Sequence, residues 1–343
     1  MANTQPSKQR IHFFKHWTLP LLCRAIRVFS ILTVLPTTLF CQQAYKIETA
    51  DIDNFWRACD QLHTAATEAD SIQIIQTEYI DKATPYFKEF LRIRKFTAPE
   101  YVKLLKRYPK YWQSIRPLTE NIANRKPEIE QVFEKFRNGL PGFKQPNVCF
   151  AIGCLRTGGT VSKNLILIGS EIAAADATVQ TSELSPWLQS IMGNTGDIVA
   201  MIAHETVHTQ QFNRRKYSLL TGCISEGSAD FIAENLTGLN INPIIHDYGN
   251  KHECTLWKMF EKDMADTPRD MSRWLYQGKG SEGRPADLGY FIGYKIAEAY
   301  FAKQSNKGKA LKTLLNCKKY PTVYKKSNYS QEPCSPKAKT GSD

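Results

Sequence analysis

The sequence predicts an α+β fold that is mostly helical and contains a small mixed or antiparallel sheet. Apolar residues recur at helical spacing from residue 45 to about residue 140, and again after residue 197. Between these parts, two short β-like runs, "NVCFAIG" (147–153) and "LILIGSEI" (165–172), flank the glycine-rich stretch "CLRTGGTVSKN" (154–164). Helical segments on both sides of a few short strands indicate helices packed against one small sheet.

Residues 45–140 are expected to form an N-terminal helical part. Helical spacing of apolar residues is clear in its first helix and continues over 86–95, 100–107 and 127–138. The first run consists of Ile52, Phe55, Trp56, Cys59 and Leu62. The loop "PGFKQP" (141–146) then marks the boundary with a second part, residues 141–301.

Gly158 and Gly159 are expected to form a turn between the two strands. No Gly-Lys-Ser/Thr and no Gly-x-Gly-x-x-Gly pattern accompanies them, so a phosphate-binding loop is excluded.

The stretch "IVAMIAHETVHTQQ" (198–211) carries two histidines four positions apart. On a helix, His204 and His208 project from the same face, because four residues make about one turn. Asp197, Asn194 or Thr195 can cap the start of such a helix. Two imidazoles at this spacing can bind one zinc ion, with Glu205 beside them as general base.

A catalytic zinc ion usually has three protein ligands, and Glu226 is the expected third. It lies 18 residues after His208, in "CISEGSADFIAENLTG" (223–238), a second helix with Ser225 as N-cap and Gly238 at its C-terminal end. Asp230, four residues on, is placed to accept the free N–H of a ligand histidine. His246 and His252 are the alternative third ligands.

Glu226 and Asp230 downstream of His204–His208 resemble the pattern of the thermolysin-like zinc metallopeptidases, the gluzincins. More closely, the chain resembles a bacterial family of zinc-dependent proteases, known from sequence, that is akin to gliding-motility lipoproteins. This resemblance covers residues 45–301 and is carried by six stretches: "DIDNFWRACDQL" (51–62), "YIDKATPYFKEF" (79–90), "GGTVSKNLILIGSEI" (158–172), "IAHETVHTQQ" (202–211), "SEGSADFIAENLTG" (225–238) and "PADLGYFIGYKIAEAY" (285–300).

The resemblance implies a zincin-like metallopeptidase fold over 141–301 and zinc-dependent hydrolysis of a peptide or protein substrate. In such peptidases a strand edge beside the metal helix binds an extended peptide, and residues 147–153 or 165–170 are expected to supply it. The carbonyl oxygen also needs a hydrogen-bond donor as its negative charge develops. Tyr294 is the first candidate, followed by Tyr290 and then His246.

The N-terminus predicts export from the cytoplasm. A basic region ending at Arg27 precedes the apolar stretch "VFSILTVLPTTLF" (28–40), which is too short to span a bilayer comfortably. We therefore expect residues 1–44 to be a signal peptide or membrane-targeting segment, with cleavage between Cys41 and Ala44. Lipidation of Cys41 is the alternative, which would give a lipid-anchored protein of the periplasm or cell envelope.

The net charge of +12 does not indicate a nucleic-acid partner. Residues 1–27 carry +5 and residues 302–343 carry +8, which leaves the rest of the chain nearly neutral. Residues 302–343 are expected to be a mobile basic tail without helices that approaches anionic surfaces at most. Seven cysteines follow Cys41, and no spacing among them indicates a disulfide pairing.

The sequence is compatible with two classes of function. The first is a zinc peptidase, or a related amide or ester hydrolase, that uses Glu205 as its base. The second is a non-catalytic binding or motility protein of the cell envelope with the same fold. The presence of Glu205 beside a full set of zinc ligands favours the enzyme, because a binding protein has no need of it.

Overall fold

The computed structural model of the protein describes residues 45–192, 197–213, 218–277, 280, 283–331 and 333–334. The predictions for residues 1–44, including those for Cys41, lie outside the described residues. The caps Asn194 and Thr195 also lie outside them.

Six helices fill the N-terminal part, as the apolar spacing predicts. They are α1 (Ala50–Gln61), α2 (Glu68–Ile75), α3 (Pro85–Arg94), α4 (Ala98–Arg107), α5 (Pro109–Glu120) and α6 (Lys126–Gly139). Their apolar faces meet around Phe55, which is fully buried and contacts the rings of Tyr79, Tyr101 and Trp112. The aromatic residues of this part therefore form a core, and two of them, Trp56 and Trp112, also line a cavity of about 490 Å³.

Four strands form one mixed sheet: β1 (Ile47–Glu48), β2 (Asn147–Ala151), β3 (Gly159–Ser162) and β4 (Leu165–Gly169). Their order is β1-β2-β4-β3; β1/β2 and β2/β4 are parallel, and β3/β4 is antiparallel. A small mixed sheet in a mostly helical protein confirms the α+β prediction. Because β1 belongs to the N-terminal part, the loop at 141–146 does not separate two sheets, and the described residues form one compact unit.

The expected position of the sheet edge is wrong. The strands at 147–153 and 165–170 are β2 and β4, which have strand partners on both sides and are mostly buried, like other interior strands. The edges are β1 and β3, and the one beside α9 is β3, which lies in the segment predicted to be a turn. Gly159 opens this strand because the Glu205 carboxylate fills the space of a side chain: a Cβ at Gly159 would lie 2.6 Å from its Oε1.

Eight helices complete the structure after the sheet. They are α7 (Ser170–Ala173), α8 (Pro186–Met192), α9 (Ile198–Gln210), α10 (Leu219–Thr237), α11 (Pro243–Asp266), α12 (Gly289–Ala302), α13 (Lys307–Leu314) and α14 (Tyr320–Ser327). Asp197 caps α9 by accepting a hydrogen bond from the Val199 N–H, as expected. Gly238 ends α10 with φ 76°, also as expected. The predicted N-cap Ser225 is wrong, because α10 begins earlier, with Ser218 and Thr221 in a capping box.

Helices α10 and α12 cross in backbone contact. A Cβ at Gly227 would lie 2.0 Å from the Tyr294 backbone N, and one at Gly293 would lie 1.7 Å from the Cys223 carbonyl oxygen. Only glycine allows two helices to approach so closely. This crossing fixes the position of Glu226, the residue before Gly227.

The expectation that the last helix ends near residue 302 is wrong, because two further helices follow it. The apolar residues of this segment give α13 and α14 a buried face, with Leu311, Leu314, Tyr320 and Val323 in the core. Two backbone hydrogen bonds, Phe212 N–H to Leu315 O and Cys317 N–H to Phe212 O, tie this segment to the end of α9.

A disulfide between Cys254 and Cys334 links α11 to the C-terminal segment. The sequence alone did not indicate this pair. Among the residues that the structure describes, no helix is long and apolar enough to cross a membrane.

Candidate metal centre

Helix α9 places His204, Glu205 and His208 inside the protein, at the end of the helix that faces α10. The first two residues are buried and His208 is nearly so. The imidazole Nε2 atoms of His204 and His208 lie 2.9 Å apart, as expected for two histidines one turn apart on one face.

Helix α10 brings Glu226 to the same point. Its Oε2 lies 3.0 Å from Nε2 of His208 and 3.6 Å from Nε2 of His204. The three residues each offer one ligand atom, and these atoms all lie within 4.8 Å of one another. We call them the HHE cluster.

The far side of each imidazole is held by a hydrogen-bond acceptor. Nδ1 of His204 lies 2.6 Å from Oδ1 of Asp230, whose Oδ2 accepts a hydrogen bond from Asn242. Nδ1 of His208 lies 2.9 Å from Oε1 of Gln211. The Gln211 amide is itself oriented, because its Nε2 donates to the Ser225 carbonyl at 2.8 Å. With a proton on each Nδ1 donated to these acceptors, both rings can direct an Nε2 lone pair at a cation in the cluster.

This donor set fits a single zinc ion. Two Nε2 lone pairs and a carboxylate oxygen face one another, and three acceptors at this distance repel unless a cation lies among them. Two ligand atoms bound at about 2.0–2.1 Å around a tetrahedral zinc ion are separated by about 3.3 Å. The separations of 2.9, 3.0 and 3.6 Å lie on both sides of that value.

The charges around the cluster also favour a cation. Burial lowers the pKa of His204, but hydrogen bonding and charge from Asp230, together with Glu226 and Glu205, raise it by more, so the net pKa is well above its usual value. Burial raises the pKa of Glu226, but the two imidazoles lower it by more. Without a metal, a proton on an imidazole supplies the positive charge that the carboxylates require.

Glu205 lies beside the HHE cluster in a cavity of about 360 Å³. The edge strand β3 forms one wall through Gly159, Thr160 and Val161. The carboxylate of Glu205 lies against Gly159, so the general base predicted from the sequence and the edge of the sheet meet in one cavity.

The structure separates the two tyrosines expected to act as hydrogen-bond donors. Tyr290 lines the cavity, and its ring centroid lies 6.1 Å from that of His204. Tyr294 does not line it and packs instead against His246, with a centroid distance of 4.4 Å. The preference for Tyr294 over Tyr290 therefore has no support in this geometry.

Two further side chains of the cavity were not found by sequence reasoning. The hydroxyl of Tyr276, a largely exposed residue with φ 61°, donates a hydrogen bond of 2.8 Å to Oε1 of Glu226. Arg94, at the end of α3, also lines the cavity. Both residues come from segments without a recognisable motif, so spacing gave no signal for either.

The alternative ligands His246 and His252 lie outside the HHE cluster. Nε2 of His246 is 3.8 Å from Oδ2 of Asp230, and Asp230 separates it from His204. His252 stacks on Tyr248 at the kink of α11. Of the three candidates for a third ligand, only Glu226 lies within the cluster.

Comparison with known proteins identifies the family. The family described as Gliding motility protein GldB matches residues 41–331. The chain belongs to this family. It is a family of gliding-motility lipoproteins, which agrees with the predicted relation and with an association with the cell envelope. No curated protein and no solved structure matches the chain. The resemblance to gluzincins and the zincin-like fold stay predictions.

Proposed function

We propose that this protein is a zinc-dependent hydrolase of the cell envelope that cleaves peptide bonds. The observation that carries the proposal is the HHE cluster itself. Three ligand atoms converge with both Nδ1 atoms already bound to acceptors, and Glu205 lies in the same cavity. A structural metal site is normally closed by a fourth protein ligand, whereas three ligands leave a position open for reaction.

Each residue of the cavity has a distinct task in this proposal. His204, His208 and Glu226 hold the zinc ion, which would lower the pKa of water and polarise the scissile carbonyl. Glu205 accepts the proton of the attacking water and passes it to the departing amine. Tyr290 lines the cavity and is the hydroxyl donor to the carbonyl oxygen as its negative charge develops, whereas Tyr276 donates to Glu226 and orients that ligand.

The substrate is positioned by β3. This strand pairs only with β4 among the described residues, so its other edge is available for hydrogen bonding. Because Gly159, Thr160 and Val161 line the cavity, a peptide added to this edge as a further strand passes beside Glu205. An extended backbone bound in this way places one peptide bond at the zinc site.

The alternative is a non-catalytic binding protein of the motility apparatus. The family description favours it, because gliding motility names no catalytic function. In that case the cavity binds a peptide or a metal without turnover, and Glu205 has no essential task.

Glu205→Gln separates these two functions. The substitution is nearly isosteric and leaves all three zinc ligands in place. Zinc content should stay at one per chain by elemental analysis, whereas cleavage of a peptide library should fall by about 10²- to 10⁴-fold. Glu261→Gln, an exposed carboxylate on α11, serves as the matched control and should change neither measurement.

The zinc ligands are tested by the metal content of His208→Ala and Glu226→Ala, each of which should lose most of its zinc. Wild-type cleavage by Glu205→Gln would contradict the mechanism even with zinc bound. The binding-protein alternative predicts no cleavage by the wild type and normal gliding in cells that carry Glu205→Gln.

The location of the protein is part of the same proposal. The family match begins at Cys41, the residue for which lipidation was the alternative to cleavage. We therefore propose that Cys41 is the lipidated first residue of the mature protein, which anchors it at the cell envelope.

A further inference from the structure

Arg94 brings a guanidinium to the cavity. It is the last residue of α3 and lines the cavity together with β3 and the HHE cluster. Its guanidinium lies close enough to Glu205 for the carboxylate to influence it. Any molecule bound along β3 beside Glu205 therefore lies next to Arg94.

The guanidinium of Arg94 has no acidic partner in the described part of the chain. Its Nε is buried and has no hydrogen-bond partner there. Glu100 pairs with Arg156 instead, at 3.1 Å, and Arg156 also donates to the Arg94 carbonyl at 3.0 Å. A second guanidinium, that of Arg156, therefore lies near Arg94 and repels its charge.

This arrangement is costly unless a ligand compensates it. A buried N–H without an acceptor costs free energy, and a charged one costs more. Burial and Arg156 both lower the pKa of Arg94, while Glu205 raises it. A guanidinium nevertheless keeps its charge in proteins, so Arg94 cannot avoid the cost by losing a proton. Glu205 does not serve as a permanent partner, because the proposed reaction requires it as a base.

We infer that Arg94 binds a carboxylate of the substrate, so that the cavity selects peptides carrying an acidic group close to the scissile bond. This inference rests on the proposed binding of a peptide along β3. A guanidinium offers two parallel N–H donors that match a carboxylate in geometry and charge. The carboxylate comes either from the C-terminus of a peptide or from an Asp or Glu side chain.

Three acetylated peptides of equal length distinguish these sources. The first is neutral with an amidated C-terminus, the second is the same sequence with a free C-terminus, and the third is amidated with one internal Asp. Their affinities are measured by calorimetry on the zinc-loaded full chain carrying Glu205→Gln, which prevents cleavage. One of the charged peptides should bind roughly 10- to 100-fold more tightly than the neutral peptide, as expected for a charge-assisted bidentate pair.

Arg94→Gln in the same background should abolish this preference and leave the affinity for the neutral peptide unchanged. Arg92→Gln is the matched control, because Arg92 lies on the same helix, is exposed and pairs with Glu89. It should keep the full preference. A preference that survives Arg94→Gln, or equal binding of all three peptides, overturns the inference without affecting the proposed hydrolysis.

A second measurement does not depend on peptide length or on cleavage. The Nε–H resonance of Arg94, assigned by its loss in Arg94→Gln, is followed by NMR during titration with N-acetylglycine and with N-acetylglycinamide. The carboxylate should shift the resonance and the amide should not. An unchanged resonance at high N-acetylglycine concentration overturns the inference, whereas loss of cleavage in wild-type protein bears only on the proposed function.

Discussion

The orientation of each histidine of the HHE cluster is set by a residue on the far side of its ring. Asp230 holds His204 and Gln211 holds His208, at 2.6 and 2.9 Å. The spacing of Glu226 and Asp230 on one helix predicted the first contact. The second was not predicted, because no sequence pattern distinguishes a glutamine that accepts a hydrogen bond from a nearby histidine. The convergence of His204, His208 and Glu226 was therefore predictable from the sequence, whereas the contact of Gln211 with His208 required the structure.

Glu171 is a buried carboxylate outside the cavity, with a structural task. Its oxygens accept hydrogen bonds from the backbone N–H groups of Gly153 and Leu155, at 2.8 and 2.9 Å. These bonds hold the loop that leads into β3, in which Leu155 adopts a left-handed conformation with φ 54°. Glu171 thus supports the strand that forms the wall of the cavity.

Glu171 should make the protein less stable as the pH rises from about 4.5 to 7. Burial raises the pKa of Glu171 to about 7, and the two backbone hydrogen bonds oppose this only in part. In this pH range the folded chain binds more protons than the unfolded chain, so the free energy of unfolding falls as pH increases. The loss from this group is about 3 kcal/mol.

The measurement is urea denaturation between pH 4.5 and 8 for the wild type and Glu171→Gln. The difference between their free energies of unfolding should vary with pH over this window, whatever the offset between them. Glu120→Gln, which changes an exposed carboxylate, should follow the wild type. Parallel pH profiles for the wild type and Glu171→Gln would show that Glu171 titrates normally.

At the scale of helices, the approach of α10 to α12 sets the geometry of the HHE cluster. Gly227→Ala would place a methyl group 2.0 Å from the Tyr294 backbone N, which cannot move without moving α12. We expect a loss of at least about 1–3 kcal/mol in the free energy of unfolding, as for other overpacked sites. Zinc affinity should also fall, because Glu226 shifts with its neighbour.

Gly222→Ala on the same helix is the control for this substitution. Its methyl group would meet the sulfur of Met271 at 2.8 Å, and this flexible side chain can rotate away. The gain in helix propensity, about 1 kcal/mol, then offsets the crowding. Chemical denaturation and chelator competition of both variants test the idea; equal effects of the two alanines would contradict it.

The strands show where sequence patterns reach their limit. The runs around Val148 and Ile166 were recognised because interior strands are continuously apolar. β3 was missed because Gly158-Gly159 has the composition of a turn. Glycine is required at position 159 of the strand because Glu205 of α9 approaches it closely. Local strand propensity cannot predict such a tertiary contact.

At the scale of the whole molecule, the C-terminal segment packs against the core, although its composition predicted a tail. The ten lysines after residue 302 led to the prediction of a solvent-exposed tail. Two pairs of apolar residues, Leu311 with Leu314 and Tyr320 with Val323, nevertheless have the spacing of a helix face. Their buried positions and the backbone contacts at Phe212 attach this segment to the end of α9. The charge of this segment therefore led to a wrong prediction, whereas the spacing of its apolar residues would have predicted two more helices.

The Cys254–Cys334 disulfide should fasten this segment to the rest of the molecule. The bond joins residues 80 positions apart, with α12, α13 and α14 between them. A crosslink across so long a loop restricts the unfolded chain strongly, and its removal typically costs about 2–4 kcal/mol. The double variant Cys254→Ser with Cys334→Ser should therefore unfold at lower denaturant concentration than the wild type. Cys59→Ser, at a free cysteine, should leave the midpoint nearly unchanged.

The same bond tests the location of the protein in the cell. Disulfides persist outside the reducing cytoplasm, so an exported chain should carry this bond when it is isolated from the cell envelope with thiols blocked. Mass spectrometry of the unreduced digest should find the Cys254 and Cys334 peptides joined. The free cysteines Cys59, Cys149, Cys154, Cys223 and Cys317 should be alkylated once the chain is unfolded. Alkylation of Cys254 and Cys334 in a cytoplasmic fraction would contradict both the export of the protein and the role of the bond, because a reduced pair cannot restrict the unfolded chain.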